Sequence, residues 1–578
     1  MKKLIIDKMD RNQKICGIIF PIICVVMFLC IYAICGIKYA VDDDIVMRNI
    51  ASGAFTGTPD GHLIFVKYIF GYIVSLIYHI NNNIDWYGLS MVGVHFLSLL
   101  FLVQECYHYF EKNKLFFSFL ALSIFFVIDL NNIVNFQFTT TSAICGATAL
   151  FLFFLLPNFE VKNKKVWIRI CSKIFLLSFI SFCVRSEVFL SFCPFAFFIW
   201  LYKLLKENNT KWAFKFYMIP LVVISLLMGF TQVIESLAYS SETWQTYKSY
   251  NYARSVIFDL YGLPDYNDYK DFYDSIDVSN EEYELYKDWK YDFSSDQTPY
   301  KLEKIAEYSQ KLNSDYINTN FDDFIESKIQ LTLKKSIDFY NNSRNTVVIL
   351  LYIVSFFCIA KSKNKKSYIF VFSIFLIREL LYFYLITLGR FLDRNLECFI
   401  LMDLFTLSGF IFNELNLKKI EYDNNKYLIN IILIISVLCS STMYNAYINK
   451  SDNNEVSINK LIDYCAEHKE NKYVLGSLYT SDNYFFVNRD SFYSNYVSLF
   501  GWSLNTEFSL NKKKEMGLNN IYIDLLNEGN YYITFSENDF NVLENYYHSK
   551  KMNVIFNKID EIDINDSLSF KIYEFREK

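Results

Sequence analysis

The feature that most constrains this chain is the recurrence of apolar runs too long for the core of a water-soluble domain. The first, ICGIIFPIICVVMFLCIYAICGI from Ile15 to Ile37, carries no charged residue. It exceeds the roughly 20 residues a helix needs to cross about 30 Å of hydrocarbon. No small-residue cleavage motif precedes the acidic stretch that follows, so the run reads as a retained span and not as a signal peptide. Further runs lie at 86–104, 115–129, 143–157, 216–238, 346–360, 367–388, 396–413 and 427–448. The segment 174–202 is interrupted by Arg185-Ser186-Glu187 and reads as two short helices forming a hairpin. The count predicts a polytopic α-helical membrane protein of about eleven spans. With 53% of residues hydrophobic yet 20% charged, buried and water-exposed segments must alternate.

Basic residues set the expected orientation. Lys2, Lys3, Lys8, Arg11 and Lys14 precede the first span; Lys162, Lys164, Lys165, Arg169 and Lys173, then the KSKNKK stretch at 361–366, then Lys418, Lys419 and Lys426 follow later ones. The positive-inside bias makes these cytoplasmic, with the N-terminus. The chain then divides into an N-terminal membrane part, 1–239, with a first outer loop at 38–85; an extracytoplasmic, Tyr/Asp-rich helical insertion, 240–344; membrane helices, 345–448; and an extracytoplasmic domain, 449–578. In the last, KYVLGSLYTS, NYYITFS, MNVIF and LSFKIYEF read as strands of a small α/β domain. Counting His62–Ile80 as a span would reverse every later loop, so it is laid at the outer interface, where Lys67, Tyr68, Tyr72 and Tyr78 suit a half-sunk helix.

Metal and redox chemistry find little support. Cys24, Cys30, Cys145, Cys183, Cys193 and Cys439 lie in apolar runs, where a thiol acts as a small hydrophobe. The six histidines are scattered, and no CxxC pair or disulfide framework is visible. The net charge of −5 is divided by region, and nucleic acid is not an expected partner.

The stretch YAVDDDIVMRNIASGAFTGTPDG, Tyr39–Gly61, sits where the first span ends. Asp42 or Asp43 can cap a helix beginning near Asp44, and Gly53 can stop it. Val46, Ile50 and Ala54 would let that helix lie flat on the membrane. One cap needs one carboxylate, however, and three in a row repel one another, which favours a held proton or an attracted cation.

The order of first span, outer acidic pair, amphipathic NIASGAF helix, turn, second interfacial helix and NIDWYGLSMVGVHFLSLLFLV covers residues 15–105. It resembles the first outer loop of the GT-C superfamily, the membrane glycosyltransferases that use polyprenyl-phosphate sugars. The chain departs from the aminoarabinose and protein-mannosyl branch in a shorter acid-to-Ser-Gly spacing and in Lys67-Tyr68-Ile69, where Lys-Pro-Pro is usual. The resemblance implies that Asp43 or Asp44, with Asp42 beside them, acts as general base toward an acceptor or helps hold Mg²⁺ or Mn²⁺. It implies as partners a lipid-linked sugar donor, a glycan or other cell-envelope acceptor and membrane lipids.

Transfer from a lipid phosphate also needs cations at the leaving group. Arg390 and Arg394, spaced i, i+4 at the outer end of a span, could share a helical face and grip a phosphate, or pair with Asp393 and Glu397. Arg378 and Arg185, each near a glutamate, are too costly inside a bilayer to be casual and serve either a lipid phosphate or a structural ion pair. Lys67 is a further candidate, and Arg254, among tyrosines, suits a sugar-stacking surface or an ordinary tyrosine-rich core. The rival readings are a polysaccharide polymerase or ligase acting on lipid-linked glycans, and a non-enzymatic transporter.

Overall fold

The computed structural model describes residues 2–110, 114–157, 164–206, 210–294, 298–341, 346–362, 365–417, 459–476, 495–499, 501–535, 539–565 and 568–578. The N-terminal half runs α1 (Lys2–Cys35), α2 (Asp42–Ser52), α3 (Tyr68–Ile80), α4 (Trp86–Tyr109), α5 (Lys114–Val134), α6 (Phe138–Leu155), α7 (Lys164–Val184), α8 (Ser186–Lys206) and α9 (Thr210–Ala238). An insertion follows: α10 (Glu242–Ser255), a π-helical turn at Val256–Tyr261, α11 (Lys270–Ser275), α12 (Asn280–Lys287), α13 (Thr298–Thr319) and α14 (Phe321–Asn341). The chain returns through α15 (Thr346–Ser362), α16 (Lys365–Thr387) and α17 (Asp393–Leu417).

Eight of these helices are long and apolar enough to cross a membrane, and α5, bent by 49° near its middle, makes a ninth. At 17 residues α15 is shorter. The expected run at 427–448 lies outside the described residues. Helix α6 is the axis of the bundle, buried along its whole length. Its Thr, Ser, Ala, Gly and Cys residues let neighbouring backbones approach closely. The outer helices expose the complementary surface, with Leu226, Phe230 and Val233 on α9 and Ile369, Phe372 and Leu380 on α16 facing outward as a lipid-contacting wall requires.

Two expectations are corrected here. The segment around Arg185 forms the expected pair of helices broken at that residue, but α7 and α8 are full-length, at 21 residues each, and not short. Most of the lysine-rich loop before it is helical, because Arg169 and Lys173 pair at 2.8 Å with Glu105 of α4 and so carry their charge inside the bundle end. The second interfacial helix begins only at Tyr68, leaving His62–Lys67 as loop; its 13 residues are too few to span.

The C-terminal domain holds a five-stranded mixed sheet in the order β4-β3-β5-β7-β6. Its strands are β3 (Lys472–Leu475), β4 (Tyr496–Ser498), β5 (Asn530–Thr534), β6 (Val554–Asn565) and β7 (Leu568–Glu577). The remaining two strands, β1 (Lys38–Tyr39) and β2 (Asn135–Phe136), pair in parallel and tie the ends of α1 and α5 together. The insertion and the C-terminal domain, far apart in sequence, share one core: Leu285 and Phe293 pack with Val474, Tyr532, Leu543 and Phe575. Lys513 to Asp292 at 2.6 Å and Lys290 to Asp539 at 3.2 Å fasten its rim. Together they form a cap on the end of the bundle that carries α2.

A candidate active site where two cavities meet

Helix α2 is positioned from both ends. Its N-cap is Val41, with extended backbone and no side-chain cap bond, so the expected capping by Asp42 or Asp43 gives way to a first turn made of all three aspartates. There the helix dipole offsets part of their mutual repulsion. Gly53 ends the helix as expected, left-handed at φ +80°, with its amide donating to the Ile50 carbonyl. The helix does not lie open on the membrane. Ile45, Met47, Ile50 and Ala51 are buried against the bundle, and Phe55, just beyond, meets Phe508 of the cap edge to face at 5.6 Å.

The three carboxylates are therefore divided between two environments. Asp44 is fully buried; it accepts from the Tyr87 hydroxyl at 2.6 Å and from the Phe138 amide at 3.2 Å. Burial pushes its carboxyl up to about 8, against those donors, which favour the charged form. Asp43 faces the other way, accepting from the indole Nε1 of Trp502 at 2.9 Å, with Arg394 Nη1 at 3.7 Å from its second oxygen. Asp42 lines the same space as Asp43.

That space is a cavity of about 450 Å³ between α2, α10 and the cap. Four guanidinium groups, Arg185, Arg254, Arg390 and Arg394, line it beside three carboxylates, Asp42, Asp43 and Asp259. Arg390 does not share a helical face with Arg394. The chain turns at Gly389, φ +72°, and α17 begins only at Asp393, so Arg390 projects from the turn and Arg394 from the first helical turn. Both reach the cavity nonetheless. Arg390 Nη2 lies 3.4 Å from Asp259, and Arg254 Nη2 lies 3.9 Å from the same oxygen. Arg185, at the α7–α8 junction, stacks over Phe65 and Phe138 and holds Glu187 at 3.0 Å.

A second cavity of about 420 Å³ lies between α8, α16 and α17, lined by Val188, Leu190, Leu381, Leu385, Leu388 and Phe399 among others. Leu190 and Tyr384 on its walls are more than half exposed, so it opens sideways, toward lipid. It shares Arg185, Arg390 and Arg394 with the first cavity.

The remaining candidates lie elsewhere. Arg378 is fully buried within α16 and paired with Asp403 at 2.6 Å and Glu379 at 2.8 Å, a structural ion pair that lines neither cavity. Lys67 reaches Gln232 at 3.2 Å on α9 and also lines neither. Sequence reasoning missed Trp502 and Asp259. The signal for the first was Gly501-Trp502, a tryptophan directly after a glycine; Gly501 takes φ +96°, and the carbonyls of Gly501 and Trp502 accept from Tyr250 and Tyr247 of α10. Among the described residues no three His, Cys, Asp or Glu side chains group as a metal-ligand set.

Fold and site together define a polytopic helical membrane protein whose capped end holds an arginine-rich, carboxylate-bearing cavity joined at three arginines to a lateral groove. No family model and no curated protein matches the chain. Among solved structures it is similar to ArnT from Cupriavidus metallidurans in the apo state, at 9% identity and a TM-score of 0.41 over 95% of this chain and 97% of that one. It is likewise similar to the same protein bound to undecaprenyl phosphate, at 10% identity and a TM-score of 0.40 over 96% and 98%.

Proposed function

We propose that the chain is a membrane glycosyltransferase of GT-C type, moving a sugar from a polyprenyl-phosphate carrier to a glycan or other cell-envelope acceptor at the extracytoplasmic face. The observation that carries this reading is the junction of the two cavities at Arg185, Arg390 and Arg394. A polyprenyl-phosphate sugar is an apolar tail, an anion and a polar ring in line. The lateral groove fits the first units of the tail, the arginines the phosphate, and the upper cavity the sugar. Its volume of about 450 Å³ lies within the usual range for small-molecule sites. The positive-inside bias supports that face, since Lys164, Lys165, Lys365 and Lys366 lie at the opposite ends of the spans.

In the reaction, an acceptor hydroxyl attacks the sugar C1. The C1–O bond to phosphate breaks with its electron pair leaving on the phosphate, and the hydroxyl proton passes to the Asp43 carboxylate, which Trp502 orients. Arg185, Arg390 and Arg394 neutralise the charge that grows on the departing lipid phosphate. Attack opposite the phosphate inverts C1. No step is assigned to Mg²⁺ or Mn²⁺, because the described residues bring together no ligand set.

The test is transfer from labelled polyprenyl-phosphate sugars to envelope acceptors by the purified chain. Asp43→Asn should lower the rate by about 10²–10⁴-fold at unchanged expression. Full activity in that variant, or in Arg390→Ala/Arg394→Ala, removes the reading; loss on chelation that Mg²⁺ restores would replace the arginine mechanism with a cation held at Asp42 and Asp43.

A further inference from the structure

A third opening, of about 320 Å³, lies on the polar side of α10 and is lined by Ile64, Glu235, Tyr239, Tyr247, Lys248, Asn251, Tyr252 and Ser255. It shares Asn251 and Ser255 with the cavity that holds Asp43, and shares no lining residue with the lipid-facing groove. Lys248, Asn251, Tyr252 and Ser255 fall at i, i+3, i+4 and i+7, so one stripe of α10 forms its wall and leads into the active cavity. We propose that this trough is the acceptor subsite and that it binds a saccharide. The inference rests on the glycosyl-transfer reading and adds to it the class of acceptor and its route.

The chemistry of the wall carries the choice. A saccharide presents apolar C–H faces and a rim of hydroxyls, and is bound by aromatic rings flanked by mixed donors and acceptors. Here the exposed Tyr252, over the buried Tyr239 and Tyr247, stands with one ammonium, one carboxylate, one amide and one hydroxyl, a balance that suits a ring without strong net charge. The tyrosines are held in place. Tyr252 is 62% exposed, yet its hydroxyl accepts from Gln310 of α13 at 2.7 Å. Tyr239 is buried beneath the Lys248 ammonium, 5.3 Å from its centroid, and its hydroxyl accepts from the Ile64 amide at 3.4 Å. Asn251 takes two bonds from Arg254 on its carbonyl oxygen, which fixes the amide between the two cavities.

A second observation marks the opposite wall. Ile64 has φ +67°, a left-handed conformation that a β-branched residue rarely adopts. Such strain persists where surrounding structure enforces it, and it gathers at binding sites. Here it bends the loop before α3 along the trough, between Tyr239 and the active cavity. The two substrates thus have separate entrances: the lipid donor from the bilayer between α8 and α16, the saccharide from water over α10.

The test is retention of the purified full-length chain on a panel of immobilised hexose and hexosamine oligosaccharides, beside the transfer assay. Wild type should be retained, and Tyr252→Ala and Lys248→Ala, both with native melting, should bind at least tenfold more weakly and raise the acceptor KM without changing the donor KM. Retention of those variants equal to wild type, or no retention of wild type on any saccharide, overturns the inference. Sugar transfer with unchanged variants would remove the trough and leave the transferase reading standing. Retention through Tyr252 without any transfer would keep the trough and remove that reading.

Discussion

Successive residues on a helix point about 100° apart, so Asp42, Asp43 and Asp44 cannot all share a fate once α2 is pressed between the bundle and the cap: Asp44 is buried, while Asp42 and Asp43 face the cavity. The sequence marks all three as unusual, but their phases depend on where the helix begins. That start is set by Val41 and by burial of Ile45 and Met47, which a run of three equivalent aspartates does not reveal. The buried member makes a pH prediction. Burial raises the Asp44 carboxyl from 3.8 to about 8. Between those values the folded chain keeps a proton that the unfolded chain gives up, so this group's contribution is full below 3.8, falls as pH rises, and levels off above about 8. Asp44→Asn removes the titration. Thermal unfolding at pH 5 and pH 8.5 should therefore show a smaller loss of stability in the variant than in wild type; an equal loss would mean that Asp44 is ionised throughout.

At the scale of elements, long uniform patterns were legible and junctions were not. The spans α4, α5, α6 and α9 follow from hydropathy alone, since nothing but a helix satisfies a backbone inside hydrocarbon. The extent of α7 was hidden because its first turns are charged, and Arg169 and Lys173 find their counter-ion in Glu105, 64 and 68 residues earlier in the chain. Arg390 and Arg394 were read as one helical face, whereas the chain turns at the left-handed Gly389 and the new helix begins only at Asp393, between the two arginines. Glycine at such a junction can be tested directly. At Gly53 a Cβ would lie 2.6 Å from the Thr58 carbonyl carbon and 2.7 Å from Pro59 N, at φ +80°. The conformation alone costs an L-residue about 1–2 kcal/mol, and the clash adds to it. Gly53→Ala should lower the melting temperature and, by shifting α2, reduce transfer even though residue 53 touches neither cavity. Unchanged melting would show that the turn relaxes freely.

At the scale of the whole molecule, the small α/β domain was legible from its strands, but its partnership with the insertion was not. Leu285 and Phe293 look like ordinary core residues of a helical segment, and only the fold places them against Val474 and Phe575. Leu285→Ala should cost about 2–5 kcal/mol and loosen both regions together in limited proteolysis, since a cavity in a shared core weakens everything that packs on it. The shared core also makes orientation an all-or-none property. Asn318 on α13 and Ser549 beside β6 are exposed on the cap, whereas Lys165 is exposed at the far end of the bundle. In a background without Cys30 and Cys193, the exposed cysteines among the described residues, a membrane-impermeant maleimide on intact cells should label Asn318→Cys and Ser549→Cys. Lys165→Cys should react only after permeabilisation. The reverse pattern would turn the protein over and put the arginine junction on the cytoplasmic side. Labelling of only one cap position would contradict the fold itself, because α12 and the sheet are buried against each other and cannot lie across a membrane from one another.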